Sequence, residues 1–438
     1  MTIKIVDDLT QMDYPRYECY KDSGIDWLGE IPESWSTEKG KWLFHKMDRP
    51  IREDDGIVTC FRDGEVTLRS NRRTDGFTNA LKEHGYQGIR KGDLVIHQMD
   101  AFAGAIGVSD SEGKSTPVYS VCVPQEPNKT LPYYYMYFMR SMALRGFILS
   151  LAKGIRERST DFRYNDFAKL DLPIPPYDVQ VKISKFIEHK TIQIDQAIHL
   201  KQRQIAKLEE YKQIVIQNAV TKGLNPDAPM KDSGIDLIGD IPKHWGLKRL
   251  KYILSERNER SKSGEEPLLM MSQKYGLVVR ADYHEKAEVA LSNIDNKLVY
   301  KNDLVFNKLK AHLGVFFKSN INYKGLVSPD YAVYQCKAYI EDAKFLEVLF
   351  RNPKYIEQFI IRATGIVEGL IRLYTSELFD LYVAVPPPEE QKEILKYIEI
   401  QSLKVDAAVS IIQQEADRLK EYKTILINQA VTGKLKIS

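Results

Sequence analysis

Three stretches of this 438-residue sequence imitate reactive or nucleotide-binding motifs, and each lacks something its chemistry requires. "GVSDSEGKS", from Gly107 to Ser115, ends like a phosphate-binding loop but sets five residues between its glycines. The GxxxxGK[ST] loop has four there, because its amides must close around phosphates. "IPPY", from Ile174 to Tyr177, is close to the (N/D/S)PPY loop of amino-methyltransferases. Ile174 cannot accept a hydrogen bond from a base amine, and the matching "VPPP" at Val385 to Pro388 lacks the stacking tyrosine. No GxGxxG loop offers a seat for S-adenosylmethionine or a dinucleotide. The eight histidines form no HExxH and no i,i+4 pair, and Cys19, Cys60, Cys122 and Cys336 show no CxxC spacing, so neither a metal cage nor a disulfide framework is expected. These absences predict a binder without catalytic residues, cofactor or metal.

The remaining candidates are basic residues interleaved with turn residues. The first half offers Arg69, Arg72 and Arg73 in "TLRSNRRTDGF", and Lys153, Arg156 and Arg158 in "AKGIRERSTDFRYN". The second offers Lys274, Tyr275 and Arg280 in "SQKYGLVVR", Lys308 and Lys310 in "NKLKAH", and Arg372 in "EGLIRLY". Lys and Arg neutralise phosphates, and Arg can also bond guanine edges bidentately in the major groove. Double-stranded DNA is the partner these residues suit. Any one of them also fits a solvated surface charge. The formal net charge of +3 permits an anionic partner without demanding one.

What must position these residues is a duplication. "KDSGIDWLGEIPESW" (Lys21 to Trp35) returns as "KDSGIDLIGDIPKHW" (Lys231 to Trp245), 210 positions later. The block from Pro175 to Leu224 returns from Pro386 to Leu435, shifted by 211. Between these blocks the similarity is thin but in register: "KGDLV" at Lys91 matches "KNDLV" at Lys301, and Arg69 matches Arg280. Runs such as "DLVIHQ", "TPVYSVCV", "DLVFNK" and "SPDYAVYQ" read as short strands between turn residues. Helical stretches also appear there, for example "YYYMYFMRSMALRGFIL" and "AKFLEVLFRNPKYIEQFII". The segments between the blocks are therefore expected to be two related α+β domains.

The duplicated C-terminal blocks read as long helices. Prolines followed by Asp178, or by Glu389 and Glu390, suit a helix N-terminus. Apolar residues then recur in steps of three and four: Ile187, Ile194, Ile198, Ile205, Leu208, Val215 and Ala219, and Ile398, Val405, Val409, Ile412, Ala416, Leu419, Leu426 and Ala430. Lys201, Lys212 and Lys423 interrupt this seam, as register-fixing polar residues do. Matched length and register predict that the two helices zip together as an antiparallel pair, a spacer of about 65 Å at 1.5 Å per residue.

Duplicated phrase, divergent domain, "PPPEEQKEI"-type helix start and "AVTxxL" end together resemble the specificity subunit of type I restriction-modification systems, over Tyr20 to Leu435. The first copy, "PPYDVQVKI", departs by placing Val179 before Gln180. The resemblance implies two pseudo-symmetric α+β target recognition domains separated by an antiparallel coiled coil. It divides the chain into a tail (1–19), a first recognition domain (20–173, with its repeat at 20–35), a central helix (174–224), a second recognition domain (225–384, with its repeat at 231–245) and a C-terminal helix (385–438). Each domain would bind one half of a split DNA target, the coil would act as a ruler, two methyltransferase subunits would dock on the repeated surfaces, and nuclease-translocase subunits would join them. With no run of 18 apolar residues and no apolar leader, a cytoplasmic protein without a membrane partner is expected. The competing reading is a coiled-coil scaffold or RNA-binding adaptor, which predicts affinity indifferent to DNA sequence.

Overall fold

The computed structural model describes residues 14–72, 84–151, 161–273, 275–283, 293–364 and 372–437. Two compact units form: Met1–Arg203 with Ile412–Ser438, and Gln204–Ile411.

The repeated phrase is a β-hairpin in each unit. Tyr20–Asp22 pairs antiparallel with Glu30–Pro32, and Met230–Asp232 with Asp240–Pro242. Gly24, Gly29, Gly234 and Gly239 hold φ between 68° and 72°, a region that strains residues with a Cβ. The Asp22 and Asp232 carboxylates accept the N–H of Gly24 and Gly234, each at 2.9 Å, an Asx turn that fixes the bend. The tryptophan closing each phrase, Trp35 or Trp245, is 1% exposed and sits in its unit's main core.

Directly after each tryptophan, a strand pairs with the strand that precedes the long helix. Ser36–Lys39 lies antiparallel to Asp171–Ile174, and Gly246–Arg249 to Tyr382–Val385. Each intervening domain therefore leaves and returns through one two-stranded neck. Beyond the neck stands a four-stranded antiparallel sheet, in the order Phe44–Met47, Tyr119–Pro124, Leu94–His97, Ile106–Val108. The second unit repeats it as Leu254–Glu256, Tyr331–Cys336, Leu304–Asn307, Phe316–Lys318.

These sheets are covered on both faces, which explains the unbroken apolar runs of their central strands. Leu94 and Ile96 join the core of helix Pro132–Leu144, while Val95 joins Val58, Val66 and Ile89 in a second cluster. Leu304 and Phe306 likewise join Phe345 and Phe359, while Val305 joins Leu269, Val299 and Val327. The matched "KGDL" and "KNDL" are the turns that launch these strands. Gly92 (φ 91°) and Asn302 (φ 65°) take the left-handed position, which only Gly and Asn-like residues adopt readily. Buried Asp93 and Asp303 accept the N–H of the residue three back, at 2.7 and 2.8 Å. Each also holds an arginine, Arg49 or Arg257.

The long helices are α1 (Tyr177–Lys222) and α2 (Pro388–Val431). Every apolar seam residue read from the sequence is buried or half-buried. The pairing is antiparallel: in the first unit Asp195 meets Lys423 at 2.7 Å and Lys201 meets Glu415 at 2.6 Å, and in the second Lys212 meets Asp406 at 2.8 Å. The glutamine of each helix start is a buried clamp. Gln180 Nε2 donates to Pro175 O and Lys129 O, and Gln391 Nε2 to Pro386 O and Tyr339 O, at 2.8 to 2.9 Å. These bonds tie each helix to its own domain.

The helical stretches inside the domains are present, and each is divided in two. Pro132–Leu144 and Phe147–Leu151 are separated at Gly146, with φ 83°. Lys344–Leu349 and Pro353–Arg362 are separated where Asn352 caps the second helix through the Lys354 N–H, at 2.9 Å. A left-handed glycine and an Asn-Pro cap stop a helix whatever its apolar periodicity. The fold is thus α+β, one architecture built twice and joined by two long antiparallel helices.

Candidate nucleic-acid interface

Arg69 and Arg280 occupy matching places. Each opens a short 3-10 turn, Arg69–Asn71 or Arg280–Asp282, after the second strand of a hairpin. Those hairpins are Val58–Cys60 with Val66–Leu68, and Leu269–Ser272 with Gly276–Val279. The Arg69 N–H donates to Ile57 O at 2.8 Å and the Arg280 N–H to Leu268 O at 2.9 Å, so the backbone course is shared. Arg69 Nε also donates to Thr59 Oγ1 at 3.3 Å.

Several other candidates carry internal partners. Arg72 bonds Asp63 at 2.7 Å and lies 3.2 Å from Glu65, with its guanidinium 4.1 Å over the Phe61 ring. Lys308 stands 3.6 Å from Glu256, which Lys297 approaches equally closely. Burial and the neighbouring Lys308 push the Lys297 ammonium below its ordinary pKa. Arg372 lies 3.8 Å from Asp330. Lys310 is exposed on the turn Lys308–Leu313. The Leu373 N–H donates to Lys308 O at 3.1 Å, which brings Arg372, Lys308 and Lys310 into one neighbourhood. Tyr275, half exposed in its hairpin turn, has its ring 4.9 Å from that of Tyr283. Tyr283 was missed in the sequence; its signal is its place three residues after Arg280, whose carbonyl accepts the Tyr283 N–H. Exposed aromatic faces beside an arginine are apt to stack on bases or sugars. Arg73, Lys153, Arg156, Arg158 and Lys274 lie outside the described residues.

The stretches that imitate reactive motifs have ordinary structural places. "GVSDSEGKS" runs from one strand into another, Gly113–Ser115, which pairs with Gln87–Ile89 and opens no helix. Tyr177 is the first residue of α1. Burial raises the thiols of Cys60 and Cys122 well above the ordinary value and that of Cys336 to about 12, away from thiolate reactivity. Among the described residues no group of His, Cys, Asp and Glu could hold a metal ion, and no helix is long and apolar enough to cross a membrane.

Two α+β domains of one architecture, each on a two-stranded neck, stand in the two halves of the duplicated sequence. No protein-family model matches this chain. Its sequence is similar to the type I restriction enzyme EcoKI specificity subunit of Escherichia coli (strain K12), 20% identical over 426 residues that span 93% of this chain and 90% of that protein. Its fold is similar to that of a chain from a structure of the complex assembly and conformational transition of the type I R-M system, with a TM-score of 0.64 at 14% identity. A crystal structure of the HsdS subunit from Thermoanaerobacter tengcongensis matches with a TM-score of 0.53 at 15% identity. Both fold likenesses cover 92% of this chain and 98% of the other. The resemblance carried by the repeats therefore holds for sequence and fold alike.

Proposed function

We propose that this chain is the DNA sequence-specificity subunit of a type I restriction-modification complex, each α+β domain reading one half of a bipartite, asymmetric target. The observation that carries this reading is a shared backbone with changed surface chemistry. The Phe162 N–H donates to Gln98 O at 3.0 Å, as the Leu373 N–H donates to Lys308 O at 3.1 Å. The residue before each donor is Asp161 in one domain and Arg372 in the other. Where one domain shows Asp161 and Gln98, the other shows Arg372 and Lys308. Two readers of different half-sites need a constant frame with variable contacts, because phosphate contacts position a protein and base contacts specify. Arg69 and Arg280 suit the first role, and Tyr275, Lys310 and Arg372 the second. Arg73, Lys153, Arg156, Arg158 and Lys274 remain candidates on sequence grounds.

The chain supplies an address and no chemistry. Methyl transfer to a flipped adenine belongs to the methyltransferase subunits, two of which dock on the repeated surfaces, and nuclease-translocase subunits join that core in the cytoplasm. The antiparallel helices set the gap between half-sites, on the scale of about 34 Å per turn of DNA.

The test is the methylome of cells expressing this chain with its methyltransferase subunit, against cells expressing that subunit alone. A new split adenine motif with a fixed gap is expected. No new motif from an assembled, soluble complex would sink the reading and favour the scaffold or RNA-binding adaptor.

A further inference from the structure

The glutamine clamps at the two helix starts differ by one bond. Gln180 Oε1 accepts the Leu131 N–H at 2.9 Å, which completes its amide. Gln391 is 1% exposed, and its Oε1 has no hydrogen-bond partner among the described residues. The stretch of the second domain that corresponds to Leu131 is held elsewhere. Asn302 Nδ2 donates to Glu341 O at 2.8 Å, and Asn302 Oδ1 accepts the Ala343 N–H at 2.9 Å. Gly92, at the place of Asn302, has no side chain to do this.

Gln391 lines a cavity of about 600 Å³ between the second domain and the start of α2. Its helix wall runs from Gln391 to Ser402, about 16 Å at 1.5 Å per residue. In the first unit Tyr137 stands beside Glu188 of α1; burial, and then the Glu188 charge, push its hydroxyl up to about 12. Glu399, at the place of Glu188, lines the cavity instead, and the domain contributes the smaller Val348.

The lining selects what can enter. Gln391 Nε2 gives its hydrogens to Tyr339 O and Pro386 O, both at 2.9 Å, so this amide can only accept and the ligand must bring an N–H or O–H donor. Val348, Leu395 and Ile398 add apolar surface, which suits a ring. Two lining acids are already neutralised, Glu341 by Lys392 at 2.9 Å and Asp342 by Lys318 at 2.7 Å. Lys396 and Glu399 make no hydrogen bond or ion pair among the described residues. An ammonium of this kind takes a phosphate, and a carboxylate takes sugar hydroxyls. A phosphate ion or a single amino acid is too short to meet both Gln391 and the charged end.

We infer that this cavity binds a nucleoside monophosphate whose base carries an exocyclic amine. The amine donates to Gln391 Oε1, the base lies on the apolar surface, and the phosphate meets Lys396. The site lies wholly within the second unit and is independent of what either domain reads on DNA.

The experiment is calorimetry on the full-length chain with four probes: adenosine 5′-monophosphate, adenosine, inorganic phosphate, and purine riboside 5′-monophosphate, which lacks only the amine. One adenosine monophosphate per chain is expected. Each other probe should bind about tenfold or more weakly, the loss for one missing buried or charged hydrogen bond. Lys396→Ala should weaken adenosine monophosphate by about the same factor. Val348→Tyr, which puts into the cavity the bulk that Tyr137 has in the first unit, should abolish binding, with unfolding curves recording that both variants fold. If Val348→Tyr does not fold, Lys396→Ala and the probe series still decide. No binding of adenosine monophosphate overturns the site, as does equal binding of the analogue without the amine, which would leave Gln391 no role. Inorganic phosphate binding as tightly would reduce the site to a patch of lysines and overturn it too. Unchanged binding by the folded variants would put the nucleotide elsewhere on the chain.

Discussion

Trp35 and Trp245 do the same job with different support. The Trp245 indole N–H donates to Glu390 Oε2 at 3.0 Å, and His244 Nε2 lies 2.7 Å from the same oxygen. In the first unit Val179 stands at the place of Glu390 and Ser34 at that of His244. Among the described residues the buried Trp35 N–H meets no acceptor in hydrogen-bond geometry. Both rings are nevertheless 1% exposed. A Cβ on Gly433 would stand 3.0 Å from the Trp35 ring, and one on Gly223 3.4 Å from the Trp245 ring. Shape against the ends of the long helices, and not the polar tie, holds the frame; the tie is an addition made in one unit.

Removing the ring tests this most severely. Trp35→Ala and Trp245→Ala should each cost about 3–5 kcal/mol, the usual loss for a large aromatic cavity. Trp245→Ala should cost about 1 kcal/mol more than Trp35→Ala, because Glu390 and His244 lose their shared donor. Urea unfolding of the full chain, followed by tryptophan fluorescence and circular dichroism, measures both. Equal losses would mean that the Glu390 bond adds nothing to the second frame.

The helix pair offers a second contrast, between one ion pair that is buried and two that are not. The Lys201 side chain is 3% exposed and its Glu415 partner 22%. At the place of Lys201 in the second repeat stands Ile412, so this pair has no twin. Lys201→Ala should cost about 3 kcal/mol, since it strands a largely buried carboxylate, whereas Lys201→Met with Glu415→Met should come close to neutral. A double-mutant cycle on unfolding free energies separates the two cases. A single-mutant loss no larger than that of a surface pair would show that water reaches this layer.

The Asp303 turn adds a dependence on pH. Burial raises the Asp303 carboxyl above its ordinary value, against the opposing pull of the Arg257 bond. A carboxyl with a raised folded pKa holds its proton more tightly when folded. Its contribution is therefore fully present below about pH 4 and is lost as pH rises through the folded value. The stability advantage of the native chain over Asp303→Asn should shrink as pH is raised from about 4 to 7. An advantage that grows over this range would mean that Arg257 outweighs the burial.

The frame was legible in the sequence because it is spelled twice: the hairpin phrase, the Gln180 and Gln391 starts and the seam residues all recur in register. The alternation of Gly92 and Asn302 was also visible, and its physical reason is one left-handed turn. What could not be read depends on residues distant in the chain. Arg72, Lys308 and Arg372 look like free cations in sequence, but their partners Asp63, Glu256 and Asp330 come from other elements. The clamp of Gln180 on Lys129 O spans 51 residues, and no local pattern announces it. Breaks at Gly146 and Asn352 were hidden by apolar residues that continue the helical period past them. The candidate interface was less legible than the frame because divergence, which suits a reading surface, removes the repetition that made the frame visible.

The smallest effect discriminates most finely between the two halves. Lys212 meets Asp406 at 2.8 Å and Lys423 meets Asp195 at 2.7 Å. Lys423 stands at the place of Lys212 in the second repeat, and Asp406 at that of Asp195, so one contact is made twice with the helices exchanged. The aspartates are 61% and 57% exposed and the lysines 23% and 30%. Pairs this open are worth about 0.2–1 kcal/mol and weaken with salt. Lys212→Ala and Lys423→Ala should therefore each cost about 0.5 kcal/mol, equally within error, and the loss should fade in 1 M salt, where the screening length is about 3 Å. A clear inequality would mean that surroundings which look duplicated differ in solvation. Equality would place the asymmetry of the helix pair at Lys201 and Glu415, the layer that tells α1 from α2.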